Sequence, residues 1–97
     1  MANFIMLFHL TEQGAGNIKD SPARVEAAKQ SFKSVGVNVK EFYAVMGRYD
    51  TVFILEAPDD ETVAKAALTI SNLGNVRTET LRAFTENEYK KIIDSLP

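Results

Sequence analysis

The chain has 97 residues, of which 45% are apolar and 25% are charged. These proportions are typical of one globular domain covering residues 1–97, and they exclude a disordered tail or a coiled coil. Eleven Lys and Arg residues against thirteen Asp and Glu give a net charge of −2, which argues against a general nucleic-acid-binding protein because such proteins need a basic face. The chain has no cysteine, which excludes disulfides, thiolate zinc sites and cysteine nucleophiles.

The N-terminal apolar run, residues 4–8, is far shorter than a membrane span. No basic residue precedes this run and His9 follows it, so it also lacks the features of a signal peptide. We therefore predict a leaderless cytoplasmic protein that does not associate with a membrane.

The first strand is predicted over residues 4–10, because a continuous apolar run of this length is typical of a strand buried on both faces. Residues 11–19 are polar and include Gly14 and Gly16, so we predict a loop there. We expect this loop, together with Asp20 and Arg24, to border an opening between the sheet and the helices.

The first long helix is predicted to begin at Ser21, whose side chain can cap it, with Pro22 in the first turn. Gly36 is expected to end this helix, because glycine readily adopts the left-handed backbone of a C-terminal cap. The inner side of the helix is an apolar stripe at spacings of three and four residues, namely Val25, Ala28, Phe32 and Val35.

The second and third strands are predicted over residues 37–46 and 51–57, and the short connection 47–50 makes them a hairpin. The second strand contains Lys40 and Glu41, which favours a position at the sheet edge. The third strand is apolar on both faces, which favours a central position.

The second helix is predicted to begin with residues 58–60, because aspartates stabilise a helix N-terminus, and to end at Gly74. Residues 76–84 form a fourth strand of mixed polarity. Thr85 and Glu88 make a capping box for a last helix over residues 86–95. The apolar side of this last helix comprises Tyr89, Ile92, Ile93 and Leu96.

The predicted order is strand, helix, strand, strand, helix, strand, helix. This is the split β-α-β arrangement of a ferredoxin-like βαββαβ fold of the α+β class, with an added C-terminal helix. Its four-stranded antiparallel sheet has the first and third strands at the centre. Those are the two strands with apolar residues on both faces, so the pattern and the topology agree.

Two long helices can cover only one face of such a sheet, and the other face is usually solvated and polar. Here neither face of the two central strands is polar. We therefore predict a homodimer in which a second copy covers the open face. The alternative is that the C-terminal helix folds back over that face, although it is short for this task.

Residues 47–50 read Gly-Arg-Tyr-Asp, a glycine–tyrosine–aspartate signature with one residue interposed. With this signature the chain resembles the GYD-domain family of small bacterial and archaeal proteins, over essentially its whole length. The resemblance implies the dimeric α/β-barrel form of the ferredoxin-like fold and no established activity. Related barrels include monooxygenases, isomerases, haem enzymes and ligand-sensing domains, so the fold alone does not identify the chemistry. Further stretches similar to the family are residues 10–14, 18–24 and 74–83.

Three residues are candidates for a catalytic role. His9 is the only histidine, a residue type that often serves as a general base at neutral pH, and it is also a possible haem ligand. Tyr49 and Asp50 could position a polar substrate or exchange a proton. The structural alternative is that His9 simply ends a strand, that Asp50 bonds turn amides, and that Tyr49 packs over the sheet edge.

Five further residues are candidates for ligand binding. Arginine can clamp a carboxylate or phosphate with two hydrogen bonds, and on the fourth strand the alternation of side chains separates Arg82 from Arg77 and Glu79. The alternative is that these charges protect an edge strand or form ion pairs between subunits. The full set is Arg24, Arg48, Arg77, Glu79 and Arg82.

No motif in the sequence predicts a cofactor or a metal site. Residues 14–19 contain Gly-x-Gly after a strand, but Lys19 occupies the third glycine position, so the dinucleotide fingerprint fails. A single histidine without cysteine makes a zinc site improbable. There is no strained serine nucleophile motif, and there is no tryptophan of the kind that some barrel monooxygenases use.

Three functions remain open. The first is a small dimer that binds a small molecule between sheet and helices, as a sensor or accessory module. The second is a cofactor-independent enzyme of the monooxygenase or isomerase type, with His9 as base and Arg48, Tyr49 or Asp50 placing the substrate. The third is a structural interaction module with free edge strands. A pocket that contains His9 favours the enzyme, and a pocket without titratable groups favours the binding protein.

Overall fold

A computed structural model describes all 97 residues. The strands are β1 (Ala2–Leu10), β2 (Asn38–Ala44), β3 (Thr51–Ala57) and β4 (Val76–Ala83), and the helices are α1 (Glu12–Gly16), α2 (Ser21–Ser34), α3 (Asp60–Asn72) and α4 (Glu86–Asp94). The four strands form one antiparallel sheet in the order β2-β3-β1-β4. The ferredoxin-like prediction is confirmed, with β1 and β3 at the centre and β2 and β4 at the edges.

The two faces of the sheet differ in burial because α2 and α3 cover only one of them. On β1, the side chains of Phe4, Met6 and Phe8 are buried on this helix-side face, whereas the alternate residues Ile5 and Leu7 are half-buried on the other. We call the second face the open face. Its apolar residues, identified by strand register, are Ile5 and Leu7 of β1, Val52 and Ile54 of β3, Tyr43 of β2 and Leu81 of β4.

The core on the helix-side face is organised around the ring of Phe53. This ring makes edge-to-face contacts with Phe8, Phe32 and Phe42, at centroid separations of 4.9, 5.6 and 6.0 Å. Such contacts add to the free energy of burying the rings, because the positive edge of one ring meets the negative face of another. They join β1, α2, β2 and β3 into one core.

The predicted loop over residues 11–19 is wrong, because this segment forms α1 followed by a 3₁₀ turn at Ile18–Asp20. Thr11 caps α1 by accepting a hydrogen bond from the amide of Gly14. The glycine is required by packing, since a Cβ atom there would lie 2.1 Å from the carbonyl oxygen of Asn75. The two glycines that indicated a loop therefore stand inside a helix.

The predicted cap at Ser21 is also wrong. The residue before α2 is Asp20, and no side chain caps the helix start. The chain enters α2 directly from the 3₁₀ turn, and the amide of Ser21 already donates to the carbonyl of Ile18. The predicted end of this helix is confirmed, because Gly36 has φ of +93°.

The C-terminal helix α4 does not cover the open face. Its capping box is confirmed, but none of its residues is buried and it makes no extended contact with the sheet or with α2 and α3. The molecule is correspondingly long, with extents of 51 × 30 × 18 Å. The open face thus lies uncovered in the single chain. None of the four helices is long and apolar enough to cross a membrane.

Candidate functional site

A cavity of about 710 Å³ lies between the helix-side face and helices α2 and α3, at the end of the sheet where β1 finishes. This volume is within the range of small-molecule sites in proteins. Most of the lining residues are hydrophobic, and they come from both the sheet and the helices. They include Phe8, Leu10, Val25, Ala28, Phe42, Phe53, Ile70 and Val76.

Two charged side chains line this cavity, and both are already bonded to the protein backbone. The guanidinium of Arg24 donates to the carbonyls of Asn17 at 2.8 Å and Gly14 at 3.1 Å. The carboxylate of Asp50 accepts a hydrogen bond of 2.8 Å from the amide of Leu10. The expectation that Arg24 borders an opening between sheet and helices agrees with this position, although Asp20 is not among the lining residues.

Asp50 links the hairpin connection to the end of β1. Its amide donates to the carbonyl of Phe8, and its carbonyl accepts from the amide of Val45, both at 2.9 Å. Gly47, with φ of +118°, allows the chain to turn before these bonds form. The carboxylate of the signature aspartate therefore joins the hairpin connection to the end of β1, whereas the structural interpretation expected it to bond amides of its own turn.

Other signature residues lie on the open face, where they form a polar cluster at the same end of the sheet. The phenol of Tyr49 donates to a carboxylate oxygen of Glu79 at 2.6 Å, and Nδ1 of His9 lies 2.9 Å from the carbonyl oxygen of Arg48. Arg77 stands opposite His9 in the β1–β4 register. We call these five residues the open-face polar cluster.

The hydrogen bond from Tyr49 to Glu79 raises the pKa of the phenol above its ordinary value of 10.0. Loss of the proton would break this bond and would place two negative charges side by side. Tyr49 is therefore a hydrogen-bond donor at neutral pH. This arrangement does not make it a base.

The sequence-predicted catalytic residues do not converge on one site. His9 and Tyr49 belong to the open-face polar cluster, whereas Asp50 lines the cavity on the other face. Strand alternation accounts for the position of His9, because Phe8, the residue before it in β1, points to the helices. His9 is exposed and is not among the residues that line the cavity.

The ligand-binding candidates divide in the same way. Arg24 lines the cavity, and Arg48, Arg77 and Glu79 are in the open-face polar cluster. Arg82 lies apart at the other end of the sheet, where its guanidinium stacks 5.5 Å from the ring of Phe4 and 4.4 Å from the ring of Phe84. There it borders a second cavity of about 230 Å³.

Sequence reasoning missed the contribution of the α3–β4 connection to the main cavity. Leu73 and Asn75 line it, and the carbonyl of Asn75 accepts from the amide of Thr11 at 3.0 Å. The only local signal was a turn at Gly74, which does not reveal which segment the turn contacts. No group of three or more His, Cys, Asp or Glu side chains is placed to hold a metal ion.

Comparisons with known proteins show that the chain is similar to one protein family and to proteins of Thermus thermophilus. The family model of the GYD domain matches residues 4–93. A protein of Thermus thermophilus named "Glutamine synthetase and cystathionine beta-lyase binding protein" is 42% identical over 84 residues, which cover 86% of this chain and 88% of that protein. The crystal structure of TTHA0845, also from Thermus thermophilus, superposes with a TM-score of 0.58 at 29% identity, covering 88% of this chain and 95% of the other.

Proposed function

We propose that this chain, which belongs to the GYD-domain family, is a binding protein that holds a small, mainly apolar molecule in the cavity of about 710 Å³ beside Asp50. The cavity is the observation that carries the proposal. His9, whose presence would favour an enzyme, does not line it, although Arg24 and Asp50 do, so the cavity is not free of titratable groups. Its walls are apolar side chains of the sheet and of two helices, and such a lining gains free energy from excluding water around an apolar ligand.

The chemistry of the cavity favours an uncharged ligand. Arg24 and Asp50 have opposite charges, and each is already bonded to backbone groups. The two charges cancel in sum, so the cavity has no excess charge of either sign to balance a ligand ion, and burying an unbalanced ion is costly. The remaining polar groups at the cavity, such as Thr51, Thr69 and Asn75, can hydrogen-bond a hydroxyl or amide.

A fluorescent probe tests this proposal. The neutral dye N-phenyl-1-naphthylamine is expected to bind, and Ala27→Trp, at an exposed position that lines the cavity, is expected to weaken it at least about tenfold. Ala23→Trp is the matched control, because Ala23 is an exposed residue of the same helix outside the cavity. Equal losses in both variants, or stronger binding of the anionic dye anilinonaphthalene sulfonate, would contradict the proposal.

A second role, as an accessory protein to other proteins, is favoured by the name of the Thermus relative. That relative is described as binding glutamine synthetase and cystathionine β-lyase, and it is similar to 86% of this chain. We propose a comparable protein partner here. Co-elution of the purified protein with purified glutamine synthetase or cystathionine β-lyase on a sizing column tests this role, and separate elution from both enzymes counts against it.

The enzyme alternative receives less support from the geometry. A general base must lie within hydrogen-bond reach of the proton that it removes. His9 is on the open face and outside the main cavity, where its Nδ1 faces the carbonyl of Arg48. A catalytic role for His9, Tyr49 or Asp50 thus stays a prediction, as does the cytoplasmic location.

We also propose that the protein works as a homodimer joined through the open face. The uncovered apolar residues there, among them Tyr43 and Leu81, are 54% and 45% exposed in the single chain. A second copy related by a two-fold axis brings an identical apolar patch, which is the arrangement that buries both. Sedimentation velocity tests this proposal. A monomer at about 100 µM would contradict it, because specific dimers of this interface size are generally stable well below that concentration.

A further inference from the structure

The C-terminal helix α4 carries an apolar stripe that nothing in its own chain covers. Tyr89, Ile92 and Ile93 lie on one side of the helix, and Leu96, just beyond the helix end at Asp94, continues their i, i+3, i+4, i+7 spacing. Their exposed fractions are 57%, 41%, 45% and 60%. We call these four residues the α4 stripe.

Helix α4 is too short to be stable by itself. A helix of 9 residues is marginal in water, because the cost of forming the first turn is repaid only over a longer segment or by packing. The capping box of Thr85 and Glu88, with bonds of 2.8 and 3.1 Å, fixes the first turn but buries no apolar surface. Packing against the stripe would supply the missing stabilisation, and no element of the same chain makes an extended contact with α4.

The exposed area of the molecule indicates how large that contact is. The chain exposes 6597 Å², whereas a compact monomer of 10.8 kDa exposes roughly 5,500 Å². The excess of about 1,100 Å² is comparable to the roughly 800 Å² that each partner contributes to a standard interface. The open face and the α4 stripe are two uncovered apolar surfaces that contribute to this excess.

We infer that α4 is an arm that packs its stripe on a second copy of this chain, beside the open face of that copy. This inference rests on the homodimer proposed above. A dimer with one two-fold axis then covers the open face and the α4 stripe of each subunit, because each subunit contributes an open face and contacts the arm of the other. Helix α4 follows β4 directly, and Leu81 of β4 lies on the open face, so the arm begins at the margin of the sheet-to-sheet contact.

The charges on α4 agree with a second copy as the occupant. The helix carries Glu86, Glu88, Lys90, Lys91 and Asp94, a mixture close to neutral that neither attracts nor repels an identical surface. A membrane or nucleic acid would instead favour a basic helix.

The test compares two double variants by sedimentation velocity across about 0.1 to 100 µM. Ile92→Gln with Ile93→Gln removes the centre of the stripe, and we expect the dimer dissociation constant to rise at least about 50-fold, because four isoleucines per dimer lose their burial. Asn87→Gln with Lys91→Gln is the control, since both residues lie on the opposite side of the helix. The control is expected to change the dissociation constant less than about threefold.

A second measurement reports the arm directly and uses the fact that the chain has no cysteine. Leu96→Cys labelled with an environment-sensitive dye should show an emission shift on dilution, with the same midpoint as dissociation. Cavity binding of N-phenyl-1-naphthylamine should persist in the stripe variant, which separates this inference from the proposed ligand site.

Three results would overturn the inference. They are an unchanged dissociation constant in the stripe variant, equal weakening in the control, and label emission that stays constant while the dimer dissociates. An unchanged dissociation constant would contradict only the role of the arm and would still allow the dimer joined through the open faces. A wild-type protein that is monomeric throughout this concentration range would overturn both the homodimer and the arm.

Discussion

Alanine substitution at the two glycines of α1 is predicted to change the stability of the fold in opposite directions. At either site, alanine in place of glycine stabilises a helical backbone by up to about 1 kcal/mol, because glycine loses more conformational entropy on folding. Neither Gly14 nor Gly16 has a positive φ. The difference between the two positions therefore comes from their surroundings alone.

Around Gly14 there is no space for a methyl group. Its Cβ would lie 2.1 Å from the carbonyl oxygen of Asn75 and 3.2 Å from a methyl carbon of Leu10, whereas ordinary contact begins at 3.4 Å. Helix α1 must then move away by more than about 1 Å, which breaks the 3.0 Å hydrogen bond from the amide of Thr11 to Asn75. Overpacking costs about 1–3 kcal/mol and the lost hydrogen bond about 1 kcal/mol.

After the gain in helix propensity is subtracted, Gly14→Ala is expected to destabilise the fold by about 2 kcal/mol, which lowers the melting temperature by about 8–16 °C. No atom lies within 4 Å of the position that a Cβ atom on Gly16 would take, so Gly16→Ala is expected to raise stability by about 0.5 kcal/mol. Calorimetry at one protein concentration measures both. A Gly14→Ala variant at least as stable as the wild type would refute the close approach of α1 to the α3–β4 connection.

Three further predictions concern the signature, the core and the response to acid. Asp50→Ala is expected to lower the free energy of unfolding by about 2 kcal/mol, because the half-buried amide of Leu10 loses a charged acceptor. Asp50→Asn retains an acceptor and should lower it by about 1 kcal/mol in urea unfolding. Equal losses in the two variants would contradict this account. Leu55→Ala, at a fully buried position, is expected to cost about 3 kcal/mol and Leu68→Ala, at a position 72% exposed, less than about 0.5 kcal/mol in the same assay. Hydrogen bonds from Thr62 lower the pKa of the Asp59 carboxyl below its ordinary value of 3.8, so its contribution to stability is present above that value and is lost as the pH falls through the lowered pKa. Between about pH 6 and about pH 2.5, the urea midpoint of unfolding should therefore fall less in Asp59→Asn than in the wild type. An equal fall in both proteins would show that this cap does not contribute to the pH dependence of stability.

Most of the fold was predictable because the central strands of the sheet need apolar residues on both faces, and the sequence shows such runs. The continuous apolar runs of residues 4–10 and 51–57 mark the two central strands, and the capping box at Thr85 marks the start of α4. The segment 11–19 was predicted wrongly because glycine usually indicates a loop. At Gly14 it instead allows the close approach of a distant carbonyl group, which no local pattern records.

The candidate site was predictable only in part. The signature at residues 47–50 was correctly placed in the hairpin connection, but the side chains of Tyr49 and Asp50 lie on opposite faces of the sheet. Which face a residue meets depends on strand register and on hydrogen bonds to β1 and β4. These partners are distant in sequence, so residue type and spacing do not identify them.

Local spacing and composition determine the strands, the long helices and their order. They also determine that the central strands are apolar on both faces, so all of these features could be predicted without a structure. The place of the cavity, the residues that border it and the position of His9 outside it arise from the tertiary arrangement. The same is true of the open face that α4 leaves uncovered. These features depend on which elements approach one another, and the free energy that selects those approaches comes from burial and hydrogen bonds between residues far apart in the chain.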